Sequence, residues 1–131
     1  MCIRDRDYGV AIFGDSGSGK SDLALRLIDS GATLISDDIT VFSKSENNIH
    51  LFSVENTRGL LEVRELGIIT VPYIEGIRLK LVIKLTDKEI ERIPKKNQTN
   101  LLGLKFPKLE INGKNSSSVA KVKVKLNEIN E

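Results

Sequence analysis

The sequence predicts an α/β domain, a mixed β-sheet with flanking helices, and three observations favour it. The chain has 131 residues, a length that suits one domain and is short for two full domains, and 40% of the residues are hydrophobic, enough to build one core. An apolar run at 9–13 leads through a glycine-rich loop into an amphipathic segment at 20–30, the pattern of a strand followed by a helix. Alternating segments at 39–43 and 49–54 indicate a β-hairpin that turns at 46–48.

The N-terminal elements follow in order. Residues 1–7 show no apolar periodicity and are expected to form a tail, which leaves residues 8–131 as the domain. In the first helix, apolar residues from Leu23 to Ile28 form one stripe, and Gly31 is expected to end the helix. A second buried strand at 32–36 then ends in two aspartates.

Past residue 55 the predicted elements are short. A brief helix followed by a strand is predicted over 55–75, and another strand at 79–85. A capped helix is predicted to begin at Thr86 and to end at Pro94, and a strand at 101–111 is expected at a sheet edge because it contains Pro107. A flexible loop follows at 112–118, and the apolar pattern of 119–129 fits a strand and a helix equally well.

Composition excludes several classes of protein. The single cysteine, Cys2, forms no internal disulfide, and the single histidine, His50, leaves no His/Cys zinc cluster. No apolar run approaches the ~20 residues of a membrane span. No signal peptide is visible, so we expect a cytoplasmic protein. With no tryptophan and 5% aromatic residues, a base-stacking surface for nucleic acid is not expected.

Charge is unevenly distributed along the chain. Residues 1–76 carry 7 Lys and Arg against 12 Asp and Glu, whereas residues 77–131 carry 13 against 6. The basic half is either a partner-binding face or the solvated side of an amphipathic element.

A phosphate-binding loop is the strongest motif in the sequence. It matches G-x-x-x-x-G-K-[ST] through Gly14, Asp15, Ser16, Gly17, Ser18, Gly19, Lys20 and Ser21. Glycines let successive N–H groups point at phosphate oxygens, and the following helix presents its positive end. In this motif the lysine neutralises the β- and γ-phosphates and the serine hydroxyl binds Mg²⁺. A chance glycine-rich loop is disfavoured because a strand precedes the motif and a helix follows it.

Asp37 and Asp38 are the next candidates. They follow the second strand, at the sheet edge where α/β proteins bind ligands, if that strand is parallel to the first. A carboxylate there can hold Mg²⁺ or accept a proton from an attacking hydroxyl. The alternative is that the pair only begins a turn. Glu62 and Arg64 interrupt an apolar stretch and either face solvent or reach a metal and a phosphate.

Three segments together resemble a known family. They are Gly-Asp-Ser-Gly-Ser-Gly-Lys-Ser, Ile-Ser-Asp-Asp and Leu-Leu-Glu-Val-Arg-Glu-Leu-Gly-Ile-Ile, in that order. They resemble the catalytic domain of HPr kinase/phosphorylase. The segments Leu-Leu-Gly-Leu-Lys-Phe-Pro and Val-Ala-Lys-Val-Lys-Val are similar to its short proteobacterial forms. The resemblance covers residues 8–126.

The resemblance implies a phosphoryl-transfer enzyme. Members use ATP and Mg²⁺ to phosphorylate a serine of the phosphocarrier protein HPr, which regulates carbohydrate metabolism, and many reverse the reaction by phosphorolysis. Their P-loop-containing nucleotide-binding domain is similar to the phosphoenolpyruvate carboxykinase-like fold and assembles into hexamers. The resemblance also favours a helix at 119–129.

Site roles carry over by motif position. The P-loop residues would hold the triphosphate, with Lys20 among the catalytic residues, and Ser21 and Glu62 would bind Mg²⁺. Asp38 would be the base that takes the serine proton, with Asp37 beside it. The signature that contains Glu62, Arg64 and Gly67 would lie by the HPr contact surface.

The chain departs from the family pattern at two places. The signature usually has glycine where this chain has Glu65, and an acidic or amide residue where it has Thr70, so either a tight turn or the HPr-facing surface would be altered. The family also places a strand and a functional histidine upstream of Gly9. Residues 1–7 do not match that stretch, and we expect the chain to be N-terminally incomplete.

Three functions are compatible with these residues. The first is an HPr serine kinase/phosphorylase. The second is an ATP-binding regulatory module with little transfer activity, which the unmatched N-terminus favours. The third is a small-molecule P-loop kinase, which usually needs an arginine-rich lid, whereas the late segments here offer mostly lysines.

Overall fold

A computed structural model describes residues 1–129 of the chain, and this part forms ten strands and two α-helices. The elements are β1 (Cys2–Asp5), β2 (Tyr8–Phe13), α1 (Lys20–Asp29), β3 (Thr33–Ser36), β4 (Thr40–Ser45), β5 (Asn48–Ser53), β6 (Leu60–Val63), β7 (Gly67–Thr70), β8 (Ile77–Leu85), β9 (Gln98–Leu101), β10 (Leu104–Ile111) and α2 (Ser118–Ile129). A 3₁₀ turn, Glu55–Thr57, precedes β6.

The main sheet is mixed. Its central path runs β3-β1-β2-β8-β10-β9, and the β4–β5 hairpin joins through β5 and β8. Strands β2, β8 and β10 are parallel neighbours, with Phe13 opposite Lys84 and Leu85 opposite Ile111. Because β1 is antiparallel to both β2 and β3, those two strands also run in the same direction. The carboxyl ends of β2, β3, β8 and β10 therefore meet at one edge.

Apolar residues cover both faces of this sheet. On one face α1 and α2 pack over the strands, with Leu27 and Val122 fully buried among residues such as Ile12. On the other face the β4–β5 hairpin supplies Ile49 and Leu51, which pack against the opposite side of the strands. The two helices thus lie on the same face, and one of them begins at the edge described above.

Most of the predicted elements are confirmed. The strand–loop–helix unit, the 32–36 strand, the hairpin and the 79–85 strand all form within one or two residues of their predicted bounds. Residues 118–129 form a helix, as the resemblance favours. The expected helix and strand at 55–75 are replaced by the 3₁₀ turn and by a separate two-stranded hairpin of β6 and β7.

The expected tail over residues 1–7 is wrong, because Cys2–Asp5 form β1 between β3 and β2. Ile3 is fully buried and Cys2 nearly so. The strand was hidden because the charged residues that follow Ile3 interrupt any apolar alternation, and its pairing partners lie in other segments.

Two further expectations are wrong. No helix forms at 86–94 in the described chain; the Thr86 hydroxyl accepts a hydrogen bond from the Lys88 N–H at 3.1 Å, which makes a local turn. Few residues separate this turn from Pro94, and so short a segment does not offset the free-energy cost of helix nucleation. Strand β10 lies between β8 and β9 rather than at the edge, and Pro107 is tolerated because pairing with β8 begins at Lys108.

Candidate phosphate-binding site

The P-loop curls between β2 and α1 at the shared edge. Gly17 and Gly19 have φ of +82° and +95°, in the region that glycine adopts without steric penalty. The Ser18 N–H donates to the Asp15 carbonyl at 3.0 Å, and the Leu23 N–H donates to the Gly19 carbonyl at 2.9 Å to begin the helical ladder. This curl places the loop at the positive end of α1, the arrangement that binds phosphate groups.

Lys20 lies where the loop meets the helix. Its Nζ donates to the Gly14 carbonyl at 2.6 Å and lies 3.4 Å from the Asp15 carbonyl oxygen. Lys20 and Asp38 line the same cleft, of about 270 Å³, together with Phe13. A P-loop cation and a carboxylate therefore face one space. Ser21 is half-buried in the first turn of α1.

The two aspartates after β3 have different surroundings. The Asp37 Oδ2 accepts a hydrogen bond from the Glu62 backbone N–H at 2.8 Å. Asp38 is exposed and lines the cleft that contains Lys20. Asp37 thus connects the end of β3 to β6, while Asp38 is directed to the P-loop side.

The β6–β7 hairpin presents the residues of the third motif. Leu61 and Val63 are buried against Leu34, so the alternating residues Glu62 and Arg64 are exposed. The same packing includes Leu25 and Ile28 of α1, which holds the hairpin beside the P-loop helix. At its tip Leu66, Gly67 and Ile68 are exposed, the two apolar side chains at 66% and 70%.

The turn of this hairpin contains the first departure from the family signature. Glu65 has φ of +74°, in the left-handed region where a glycine is unstrained. The turn still closes, because the Leu66 N–H donates to the Val63 carbonyl at 3.1 Å. The substitution at Glu65 therefore leaves the turn in place and adds backbone strain.

The segment 112–118, predicted to be a flexible loop, forms a loop over 112–117 that is tied to the P-loop helix. Arg26 of α1 donates to the carbonyl oxygens of Gly113 and Asn115, the latter at 3.2 Å. This places Lys114 against Gly19 of the P-loop, a contact that sequence reasoning missed. The available signal was a strand, β10, followed by a Gly-Lys loop and a helix, which repeats the arrangement around the P-loop.

Oxygen ligands for a divalent cation are present but sparse. No group of three or more His, Cys, Asp and Glu side chains that could hold a metal occurs within residues 1–129. Ser21 and the exposed Glu62 supply oxygens of the type that Mg²⁺ prefers, so phosphate oxygens would have to complete the shell. Cys2 also lines the cleft, but burial raises the pKa of its thiol, which keeps it protonated and a weak nucleophile.

A family model described as the HPr Serine kinase C-terminal domain matches residues 2–130. The chain belongs to this family. The match begins at residue 2, so the expected mismatch of the N-terminal segment is wrong. Across residues 1–129 no helix is long and apolar enough to cross a membrane.

Two relatives and one solved structure that resemble this chain carry HPr kinase names. An HPr kinase/phosphorylase from Chloroherpeton thalassium is 36% identical over 88% of this chain, and one from Bordetella avium is 39% identical over 77%. The chain spans about two-fifths of the length of these relatives, 39% and 37% respectively. The structure of the HPr(Ser) kinase/phosphatase from Coxiella burnetii matches with a TM-score of 0.83 and 23% identity, over 98% of this chain and 88% of that one. This likeness shows the mixed α/β fold.

Proposed function

We propose that this HPr kinase-type domain transfers the γ-phosphate of ATP to a serine hydroxyl of an HPr-type phosphocarrier protein. The observation that carries the proposal is the cleft shared by Lys20 of the P-loop and Asp38. The Lys20 ammonium is suited to bind a phosphate, and the Asp38 carboxylate is suited to accept a proton from the hydroxyl that attacks the phosphate. Relatives named HPr kinase/phosphorylase support HPr as the acceptor, and their name makes phosphorolysis a second reaction to measure.

The phosphates would lie along the P-loop. Backbone N–H groups of the P-loop that are not bonded within the loop, and the N-terminal end of α1, would bind phosphate oxygens, and Lys20 would neutralise charge on the β- and γ-phosphates. Ser21 and Glu62 would hold Mg²⁺, which would offset the negative charge of the phosphates. Asp38 would orient the serine hydroxyl and accept its proton as the serine oxygen bonds to the γ-phosphorus, while the bond from that phosphorus to the β–γ bridging oxygen breaks and ADP leaves.

Asp37 has a positioning role in this proposal. Its carboxylate is engaged by the Glu62 N–H, so it holds the β6–β7 hairpin at the P-loop edge. Glu62, Arg64 and Gly67 on that hairpin, with the exposed apolar tip beside them, would contact the carrier protein. The resemblance to the phosphoenolpyruvate carboxykinase-like fold and a hexameric assembly belong to the same proposal.

The test compares ATP binding and transfer in the wild type and in Asp38→Asn. Each form of the chain is incubated with purified HPr, Mg²⁺ and ATP labelled on the γ-phosphate, and the label on HPr is measured. Calorimetry measures ATP binding separately. We expect the variant to bind ATP normally and to lose transfer by about 10²-fold or more, as general-base removal does. Asp29→Asn is the matched control, because Asp29 is an exposed aspartate at the far end of α1.

Normal transfer by Asp38→Asn would remove Asp38 from the reaction and leave kinase activity in place. Two other outcomes would decide against the HPr kinase. ATP binding with no label on HPr for the wild type favours the ATP-binding regulatory module. Label on a small molecule instead of HPr favours the small-molecule kinase.

A further inference from the structure

Lys114 reaches the P-loop from the far end of the chain. A Cβ placed on Gly19 would lie 3.4 Å from Cγ and 4.0 Å from Cε of Lys114, so the stem of the lysine passes over this glycine. Gly19 directly precedes Lys20 at the N-terminus of α1. The Lys114 ammonium is thus carried beside the backbone that binds phosphate in a P-loop.

The loop that carries Lys114 is held by hydrogen bonds on both sides of this residue. Arg26 donates to the Gly113 and Asn115 carbonyls on either side of it, while the Arg26 Nε pairs with Asp22 at 3.0 Å. Within the loop the Lys114 N–H donates to the Asn112 Oδ1 at 3.0 Å. The side chain is exposed, but its backbone is fixed to the helix that follows the P-loop.

The close approach of two glycines to the Leu85 side chain explains why the loop lies there. A Cβ on Gly113 would come within 2.8 Å of the Leu85 side chain, and one on Gly14 within 3.1 Å of the Leu85 Cβ. Leu85, at the end of β8, is therefore the common wall for the start of the P-loop and for the 112–117 loop. Glycine at position 113 permits this contact.

The charge of Lys114 is available to a ligand. Among the ion pairs of residues 1–129, none includes Lys114. Carboxylates also lie at this edge, since Asp15 is part of the P-loop and Asp38 lines the cleft that contains Lys20. A second cation beside Lys20 would offset the repulsion that the local carboxylates exert on a polyphosphate.

We propose that Lys114 is a second phosphate-binding lysine of this site, held in place by Arg26. It would contact the phosphate bound at the Gly19–Lys20 backbone, supplying a charge that the P-loop motif does not contain. This inference rests on the proposed nucleotide-dependent function. It identifies one part of the basic C-terminal half that serves the ligand site.

The test measures binding of ATP and of inorganic tripolyphosphate, the latter by competition, at low salt. Lys114→Ala should weaken both by about tenfold, the effect of one charge-assisted hydrogen bond, whereas Lys114→Arg should bind nearly as the wild type does. Lys121→Ala is the matched control, because Lys121 is exposed and lies on α2. The loss should shrink as salt rises, since an exposed charge is screened.

Arg26 is tested as a positioning residue by a double-mutant cycle. Arg26→Gln should weaken ATP binding in the wild-type background and have little further effect in Lys114→Ala. Equal effects in both backgrounds would show that Arg26 does not act through Lys114.

Each remaining outcome is decisive. Unchanged affinity of Lys114→Ala, with normal ATP binding by the wild type, overturns the role of Lys114 and leaves the proposed function standing. A loss for ATP but not for tripolyphosphate places Lys114 on the nucleoside and also overturns the proposal. Failure of the wild type to bind either ligand refutes both.

Discussion

Glu65 is a strained residue whose replacement by glycine should stabilise the domain. With φ of +74° it pays the penalty of a left-handed L-residue, about 1–2 kcal/mol. Glycine removes that penalty but gains freedom in the unfolded chain, which costs about 0.4–1 kcal/mol. We therefore expect Glu65→Gly to raise the free energy of unfolding by about 0.5–1 kcal/mol, or the melting temperature by about 2–4 °C.

The same change at Glu46 is the control. Glu46 is exposed in the turn between β4 and β5 and is not among the described non-glycine residues with positive φ. Glu46→Gly removes the same charge from a hairpin turn without relieving strain, so it should lower stability by about 0.5–1 kcal/mol. Thermal unfolding by calorimetry measures both variants. A fall in stability for Glu65→Gly, or equal shifts for the two variants, would refute the strain argument.

Three further predictions concern single side chains. Asp37→Ala removes the hydrogen bond from the Glu62 N–H, so chemical denaturation should show the free energy of unfolding lowered by about 1 kcal/mol. The rate of phosphate transfer should fall more than the affinity for ATP, and an unchanged transfer rate would contradict the positioning role of Asp37. Ser18→Ala removes a buried hydroxyl that has no partner in the described chain, so ATP affinity by calorimetry should be unchanged, and a large loss would show that the side chain binds phosphate. Leu102→Asn relieves φ of +52° in the β9–β10 turn and should raise the melting temperature, whereas a decrease would mean that the Leu102 side chain matters more than its backbone.

Local patterns predicted the part of the fold that carries the candidate phosphate-binding site. The P-loop, its strand and its helix are encoded in one continuous segment, so their spacing alone predicts their geometry. The position of Asp38 at this edge was also predicted from sequence, because it follows a strand that ends there. Packing then placed it in the cleft with Lys20.

Non-local contacts were beyond the sequence patterns. Strand β1 depends on pairing with two other segments, and its charged residues hide its burial. Lys114 reaches Gly19 only because Arg26 and Leu85 hold its loop. The last helix fitted two periods, and burial of Val122 and Leu126, one helical turn apart against the sheet and α1, distinguishes the helix from a strand.

The measurement that tests the central claim most directly is the site of phosphorylation on HPr. Purified HPr, this chain and Mg-ATP are incubated, and mass spectrometry identifies any modified residue. Our account predicts a phosphate on one HPr serine that disappears when Asp38→Asn replaces the wild type. HPr that stays unmodified while the chain binds ATP, or that is modified equally by the variant, would contradict it.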